Sequence, residues 1–251
     1  MFIHHSTKGI VLRERDFKES DRFFTIYTKE FGKLVLLAKA VRKIKSKLRG
    51  GLNLFSLTEI EFIQGKAYKT LTDARTAESF RNIKDFLIKL KIAYKIAEIV
   101  DNLIKERERD ENVWNLLEGT FRELNKGNSL NRDLKAYHYF FWNFIDFAGF
   151  RPSIERCPFC REKLNSGILY FNAGQGGVIC EKCLPRGEKK ISKKVSLDFL
   201  KILKVIFKKD KALLYKVKMK KGNLEELKEV SEYYYSFLLQ ELIPLSYNKV
   251  I

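Results

Sequence analysis

From Lys8 to about Ser79, apolar and polar positions alternate with a period of two. Ile10 and Leu12 alternate with Val11 and Arg13, Phe24 and Ile26 with Thr25 and Tyr27, and Leu34 and Leu36 with Val35 and Leu37. Polar breaks at Asp16 to Asp21, Phe31-Gly32-Lys33, Arg49-Gly50-Gly51 and Gln64-Gly65-Lys66 divide the stretch into about five strands. Short strands in so little chain hide their apolar faces by closing on themselves, and the OB-fold is the commonest barrel with that strand count.

After Phe80 the period becomes 3.6. Ile83, Phe86, Leu87, Leu90, Ala93, Ala97, Val100 and Ile104 form one apolar stripe and predict a helix of about 25 residues. A charged break at Glu106 to Glu111 precedes a second helix, Val113 to Leu124, ended by Lys126-Gly127-Asn128, and a third runs from Asn131 to Gly149. The third carries Tyr137, Tyr139, Phe140, Phe141, Trp142, Phe144 and Phe147. A helix this apolar all round reads as buried between others, an exposed groove for a partner peptide being the sharper alternative. Val195 to Phe207 and Leu224 to Leu242 return to helical spacing. The pattern predicts an α+β, multidomain chain: a five-stranded OB-fold barrel over residues 1–80, then an all-helical domain over 81–251 with an insertion at 152–188.

That insertion holds every cysteine: Cys157-Pro158-Phe159-Cys160 and Cys180-Glu181-Lys182-Cys183. Each C-x2-C pair places two thiolates on one tight turn, and two such turns close an S4 cage that suits a structural Zn2+ in a zinc ribbon. Gly174-Gln175-Gly176-Gly177 lets the chain reverse between the pairs. Two disulfides also fit an even count, and reduced cysteines without metal are the plain alternative; a catalytic zinc would need an open position that four thiolates leave no room for. His138 stands alone and reads as a packed histidine, and His4 and His5 as a polar start.

Charge narrows the partner. Lys and Arg number 49 against 31 Asp and Glu, a net +18, which calls for a polyanion. The excess lies at the ends: 16 basic and 9 acidic residues over 1–80, 16 and 8 over 184–251. Between the third and fourth strands, residues 39–49 carry six cations and no anion: Lys39, Arg42, Lys43, Lys45, Lys47 and Arg49. A flexible basic loop on such a barrel follows a phosphate backbone without reading sequence; the bland reading is a solvated, mobile loop. Phe24, Tyr27 and Tyr68 are candidates for base stacking, although aromatics at strand spacing more often serve the core.

Enzyme readings fail one by one, and the chain reads as a non-enzyme. No phosphate-binding Gly-x-x-x-x-Gly-Lys-Ser/Thr run occurs, no His-x-Glu precedes a C-x2-C pair, and Asp16, Glu19 and Asp21 in one polar turn are an ordinary solvated turn rather than a Mg2+ site. No apolar run approaches the ~18 residues of a membrane helix, and Met1-Phe2-Ile3-His4-His5-Ser6 begins no signal peptide, so a cytoplasmic protein without membrane contact is expected.

These residues together resemble the RecO family of recombination mediators. The likeness rests on Lys8-Gly9-Ile10-Val11-Leu12, Thr25-Ile26-Tyr27-Thr28, the run from Ala38 to Leu48, Gly149-Phe150-Arg151-Pro152 and Gly176-Gly177-Val178-Ile179-Cys180. It is similar to the zinc-bearing branch, with Asn53-Leu54 where a Gln-Pro-like turn is expected and Arg161 where a glycine is common. The resemblance implies DNA repair and recombination: binding of single- and double-stranded DNA, annealing of strands coated by single-strand-binding protein, contact with that protein's acidic tail through the helical domain, with the aromatic third helix a plausible place, and action with RecR to load RecA. The alternatives are a zinc-ribbon RNA-binding or transcription-associated factor, and a scaffold for acidic protein tails.

Overall fold

Five strands, β1 (His4–Phe17), β2 (Asp21–Thr28), β3 (Gly32–Ala38), β4 (Leu57–Gln64) and β5 (Lys69–Glu78), close a barrel in the order β1-β2-β3-β5-β4. All pairs are antiparallel except the closing β3 with β5, which pair in parallel at Leu37 and Thr70. This is the OB-fold arrangement expected from the period-two stretch. The computed structural model describes residues 3–127 and 129–242. Asn128 at the end of the second predicted helix, and the last nine residues of the predicted helical domain, fall outside that range.

Val11, Phe24, Ile26, Leu34, Leu36, Ile60, Phe62 and Leu71 fill the barrel. The alternation is impure because the other face is covered too: Ile10, Leu12 and Tyr27 point outward yet are buried. Three helices follow, α1 (Arg81–Asp85), α2 (Leu87–Leu103) and α3 (Glu111–Leu124), and β1 packs on α2. The Tyr27 hydroxyl donates to the Asp110 carbonyl and accepts from its N–H, each at 3.3 Å. Burial pushes this phenol up to about 12. Lys33 on β3 is buried, its ammonium on the Asp101 carbonyl and carboxylate. Gly32, at φ 65, meets the α2–α3 connection so closely that a Cβ would lie 2.1 Å from the Glu108 carbonyl oxygen.

The chain divides into two compact units, Met1–Ser129 and Leu130–Ile251. Thus α1 to α3, which share the later helices' periodicity, stand in the barrel's unit. The single 25-residue helix expected after Phe80 is broken: Phe86 is extended at φ -120, ψ 117, separating α1 from α2. Of the expected stripe, Ile83, Ala93, Ala97, Val100 and Ile104 are buried; Lys89, Ile92, Ile96 and Ile99 face inward beside them, while Leu87 at the restart is 67% exposed. Lys89 donates from its ammonium to the Gly127 carbonyl.

The second unit comprises α4 (Leu130–Phe147), a small sheet, and α5 (Leu197–Phe207), α6 (Lys211–Lys216) and α7 (Lys221–Leu242). Gly149 at φ 84 ends α4, with the Phe150 N–H closing onto the Ile145 carbonyl at 2.9 Å. Six of the seven aromatics of α4 are buried and Phe147 is half-buried, so the helix is core, as its all-round apolar character predicts, and its aromatics form no exposed groove. Trp142 is the hub, stacked at 6.0 Å on Tyr234 and edge-on to Phe171, Phe199 and Phe207. His138 is buried within hydrogen-bond reach of Ser231, a packed histidine as expected.

The sheet has β6 (Leu169–Asn172) between β7 (Gly177–Cys180) and β8 (Lys193–Val195). It reaches past the predicted insertion boundary at 188. Of the three glycines at 174–177, only Gly176 takes positive φ (64); Gly177 is required by close approach, its Cβ position lying 2.3 Å from the Ser153 carbonyl oxygen. Phe171 on β6 is fully buried against Trp142, Phe199 and Tyr234, which locks the ribbon into the helical core.

Candidate nucleic-acid interface and cysteine cluster

The predicted basic loop follows β3 and is not slack. Val41 and Leu48 turn inward and are buried in the barrel core, as is Leu52 just beyond. The Ala40 N–H donates to the Asp21 carboxylate at 2.8 Å, and the Arg42 N–H to the Ser20 carbonyl at 3.1 Å, docking the loop on the β1–β2 turn. Lys43, Ser46, Arg49 and Gly51 each donate an N–H to the carbonyl three residues back. The expectation of a flexible loop is therefore corrected: two apolar plugs pin it, and the spacing that buries residues 41 and 48 turns the cations between them outward.

Lys39, Arg42, Lys43, Lys45, Lys47 and Arg49 are all exposed, as is Ile44. Among the described residues only Arg42 of the six has an ion pair, to Asp16 at 3.5 Å. Asp16 also accepts from Arg22 at 2.7 Å, and Glu14 holds the same guanidinium at 2.9 Å. Burial disfavours the charge on Arg22, but hydrogen bonds and attraction from Asp16 and Glu14 outweigh it and raise its pKa. Two of the three carboxylates of the polar turn are thus engaged in holding the loop, Asp16 through Arg42 and Asp21 through the Ala40 N–H.

Of the aromatics proposed for stacking, Phe24 and Tyr27 are buried and unavailable, while Tyr68 is 47% exposed. Tyr68, in the β4–β5 turn, packs on Phe23 at 5.1 Å and Phe17 at 6.0 Å. Arg15 lies over Phe23 and Lys18 over Phe17, at 5.6 and 5.4 Å. This aromatic and cationic group, next to the turn that anchors the basic loop, was missed from sequence except for Tyr68. Its signal was present: one aromatic at each end of the polar run 18–22. The β1–β2 turn, the β4–β5 turn and the basic loop meet at one end of the barrel, where OB-folds take nucleic acid.

In the second unit the sequence brings its four cysteines together. The Sγ atoms of Cys157, Cys160, Cys180 and Cys183 all lie within 4.8 Å of one another. Cys180 is 3.8 Å from both Cys157 and Cys160. A disulfide needs about 2.05 Å, whereas four sulfurs about 2.3 Å from a tetrahedral centre stand about 3.8 Å apart. The donor set and spacing therefore fit a tetrahedral metal with a closed shell. Burial disfavours the Cys157 thiolate, but backbone N–H groups at Cys180, Cys160 and Phe159 outweigh it and hold the thiol near about 6. Hydrogen bonds to Cys180 and Cys160 push the Cys183 thiol up to about 12, and burial raises Cys180. Arg161, closing the first knuckle, sits at φ 63, the conformation a glycine would take without strain.

Comparison with known proteins agrees with both halves. Residues 1–80 match the family described as Recombination protein O N terminal, and residues 86–246 the family described as Recombination protein O C terminal. The DNA repair protein RecO of Dehalococcoides mccartyi strain CBDB1 is 32% identical over 221 residues, 88% of this chain and 85% of the relative. Those of Alkaliphilus metalliredigens and Desulfitobacterium hafniense are each 28% identical, over 91% and 93% of this chain and 91% and 84% of the relatives. With both terminal families matched over nearly the whole length, on an OB barrel followed by helices that carry a cysteine cluster, the chain belongs to the RecO family of DNA repair and recombination proteins.

Proposed function

We propose that this chain is a non-enzymatic mediator of DNA repair and recombination. It binds single- and double-stranded DNA, anneals complementary strands coated by single-strand-binding protein, and assists RecR in loading RecA at gaps. The observation that carries this reading is the pinned loop with its six exposed cations, Lys39, Arg42, Lys43, Lys45, Lys47 and Arg49, beside an exposed aromatic on an OB barrel. Two strands repel through their phosphates; cations held in a fixed array lower that repulsion, so that base pairing governs the encounter. Bases stay unread, because the loop offers charge rather than hydrogen-bond patterns at base edges. RecR, RecA and single-strand-binding protein are the partners that the family resemblance suggests, and a net charge of +18 suits the acidic tail of single-strand-binding protein. The reading places the protein in the cytoplasm at the nucleoid.

Zn2+ is the metal we assign to Cys157, Cys160, Cys180 and Cys183. Four thiolates suit it, and a closed shell makes it structural.

The test is annealing of complementary oligonucleotides precoated with single-strand-binding protein, with wild type against a Lys43→Ala, Lys45→Ala, Lys47→Ala variant. Rapid annealing lost in the variant supports the reading. A folded, metal-loaded wild type that anneals nothing refutes it and turns attention to structured RNA.

A further inference from the structure

Arg49, the last cation of the loop, also borders a groove of about 440 Å3 between the barrel and α2. Its charged lining is Arg22, Arg49 and Lys84 against Glu14 alone, and Glu14 is already neutralised by Arg22 at 2.9 Å. The groove is therefore positive and suited to a phosphate. Its aromatic wall is Tyr94 of α2, whose ring is held edge-on to the buried Phe55 ring, 4.8 Å between centroids at 89°, and is 50% exposed. A ring fixed on one side and open on the other is what base stacking requires. Groove and loop form one surface, since Asp16 joins Arg22 to Arg42.

We propose that this groove is a single-nucleotide subsite: a strand running off the loop lays one base on Tyr94 and its phosphate between Arg49 and Lys84. This rests on the DNA-binding reading and adds a site on α2 to it. The subsite lets the protein grip bases as well as phosphates, so it favours an unpaired strand over a duplex whose bases are stacked on each other.

The test compares the affinity of a thymidine oligomer with that of an abasic strand of equal length, at one salt concentration. Stacking of one base is expected to make Tyr94→Ala about 5- to 100-fold weaker on the thymidine strand. Its affinity for the abasic strand is expected to stay at the wild-type value, and Tyr94→Phe to match wild type on both. The Lys43→Ala, Lys45→Ala, Lys47→Ala variant weakens both strands alike, which separates the loop from the subsite. Tyr94→Ala keeping the wild-type ratio between the strands overturns the proposal while leaving the DNA-binding reading intact; wild type binding neither strand overturns both. A readout needing no variant is photocrosslinking of wild type to a strand bearing 5-iodouracil: a crosslink at Tyr94 supports the subsite, and crosslinks confined to Phe17, Phe23 or Tyr68 overturn it.

Discussion

The salt dependence of single-strand binding gives a quantitative test of the loop, because the structure separates its free cations from its engaged one. Each phosphate neutralised on a single strand contributes about 0.7 to the slope of log affinity against log salt. Five loop cations are without ion pairs among the described residues, and Arg42 is tied to Asp16 at 3.5 Å. Wild type should therefore show a slope of about -3.5, weakening about 130-fold between about 50 and 200 mM salt. Replacing Lys43, Lys45 and Lys47 with alanine leaves two free cations, for a slope of about -1.4 and a loss of about 7-fold over that range. Asp16→Asn acts in the opposite direction: Arg22 keeps Glu14, Arg42 is released, and the slope should steepen to about -4.2 with tighter binding throughout. Fluorescence anisotropy of a labelled oligothymidylate, titrated at four salt concentrations, measures all three. A wild-type slope shallower than about -1, or an Asp16→Asn slope no steeper than wild type, would refute the assignment of the loop as the phosphate-binding surface.

Three further outcomes are expected. Leu48→Ala removes an apolar plug and should cost about 2–4 kcal/mol in chemical denaturation of the first unit; a cost under about 0.5 kcal/mol would show the loop to be unpinned. Arg161→Gly should stabilise the cysteine ribbon by about 1 kcal/mol, since the arginine occupies φ 63, and a thermal midpoint that falls instead would contradict the strain argument. Tyr27 is raised from 10.0 to about 12 by burial, so its contribution is complete below pH about 10 and is lost as pH rises through about 12. Wild-type stability should accordingly fall over that window, and Tyr27→Phe should fall less, as followed by urea denaturation at stepped pH.

The barrel was legible because alternating residues in β2 and β3 can be buried only by closure, and because turn residues mark each reversal. The cysteine cluster was legible from spacing alone: a C-x2-C turn is local, and closing two of them together needs only the reversal at Gly176. What escaped depended on tertiary register. Val41 and Leu48 read as incidental apolar residues in a charged run, since nothing local says that the barrel end has two vacancies of their size. The break at Phe86 was invisible because apolar residues fall on a helical stripe in either phase over so short a span. Beyond it Leu87 of the expected stripe lies exposed, Lys89 is inside, and Tyr94 is a half-open ring. Phe23 and Phe24 illustrate the same point, adjacent aromatics of one strand that face opposite sides, one supporting Tyr68 and the other filling the core.

The hub at Trp142 has a consequence for how the polypeptide is made. Its ring neighbours come from three later elements, Phe171 from β6, Phe199 and Phe207 from α5 and Tyr234 from α7, the last of them 92 residues downstream (234 less 142). A core assembled from such distant pieces closes slowly and only after its final piece exists. During synthesis, therefore, the barrel and its three helices can complete themselves while Trp142 waits, solvent-facing, for Tyr234 to leave the ribosome. All four thiols emerge in that interval. Metal capture by the nascent ribbon would then precede consolidation of the helices, giving Phe171 a formed strand on which to be presented.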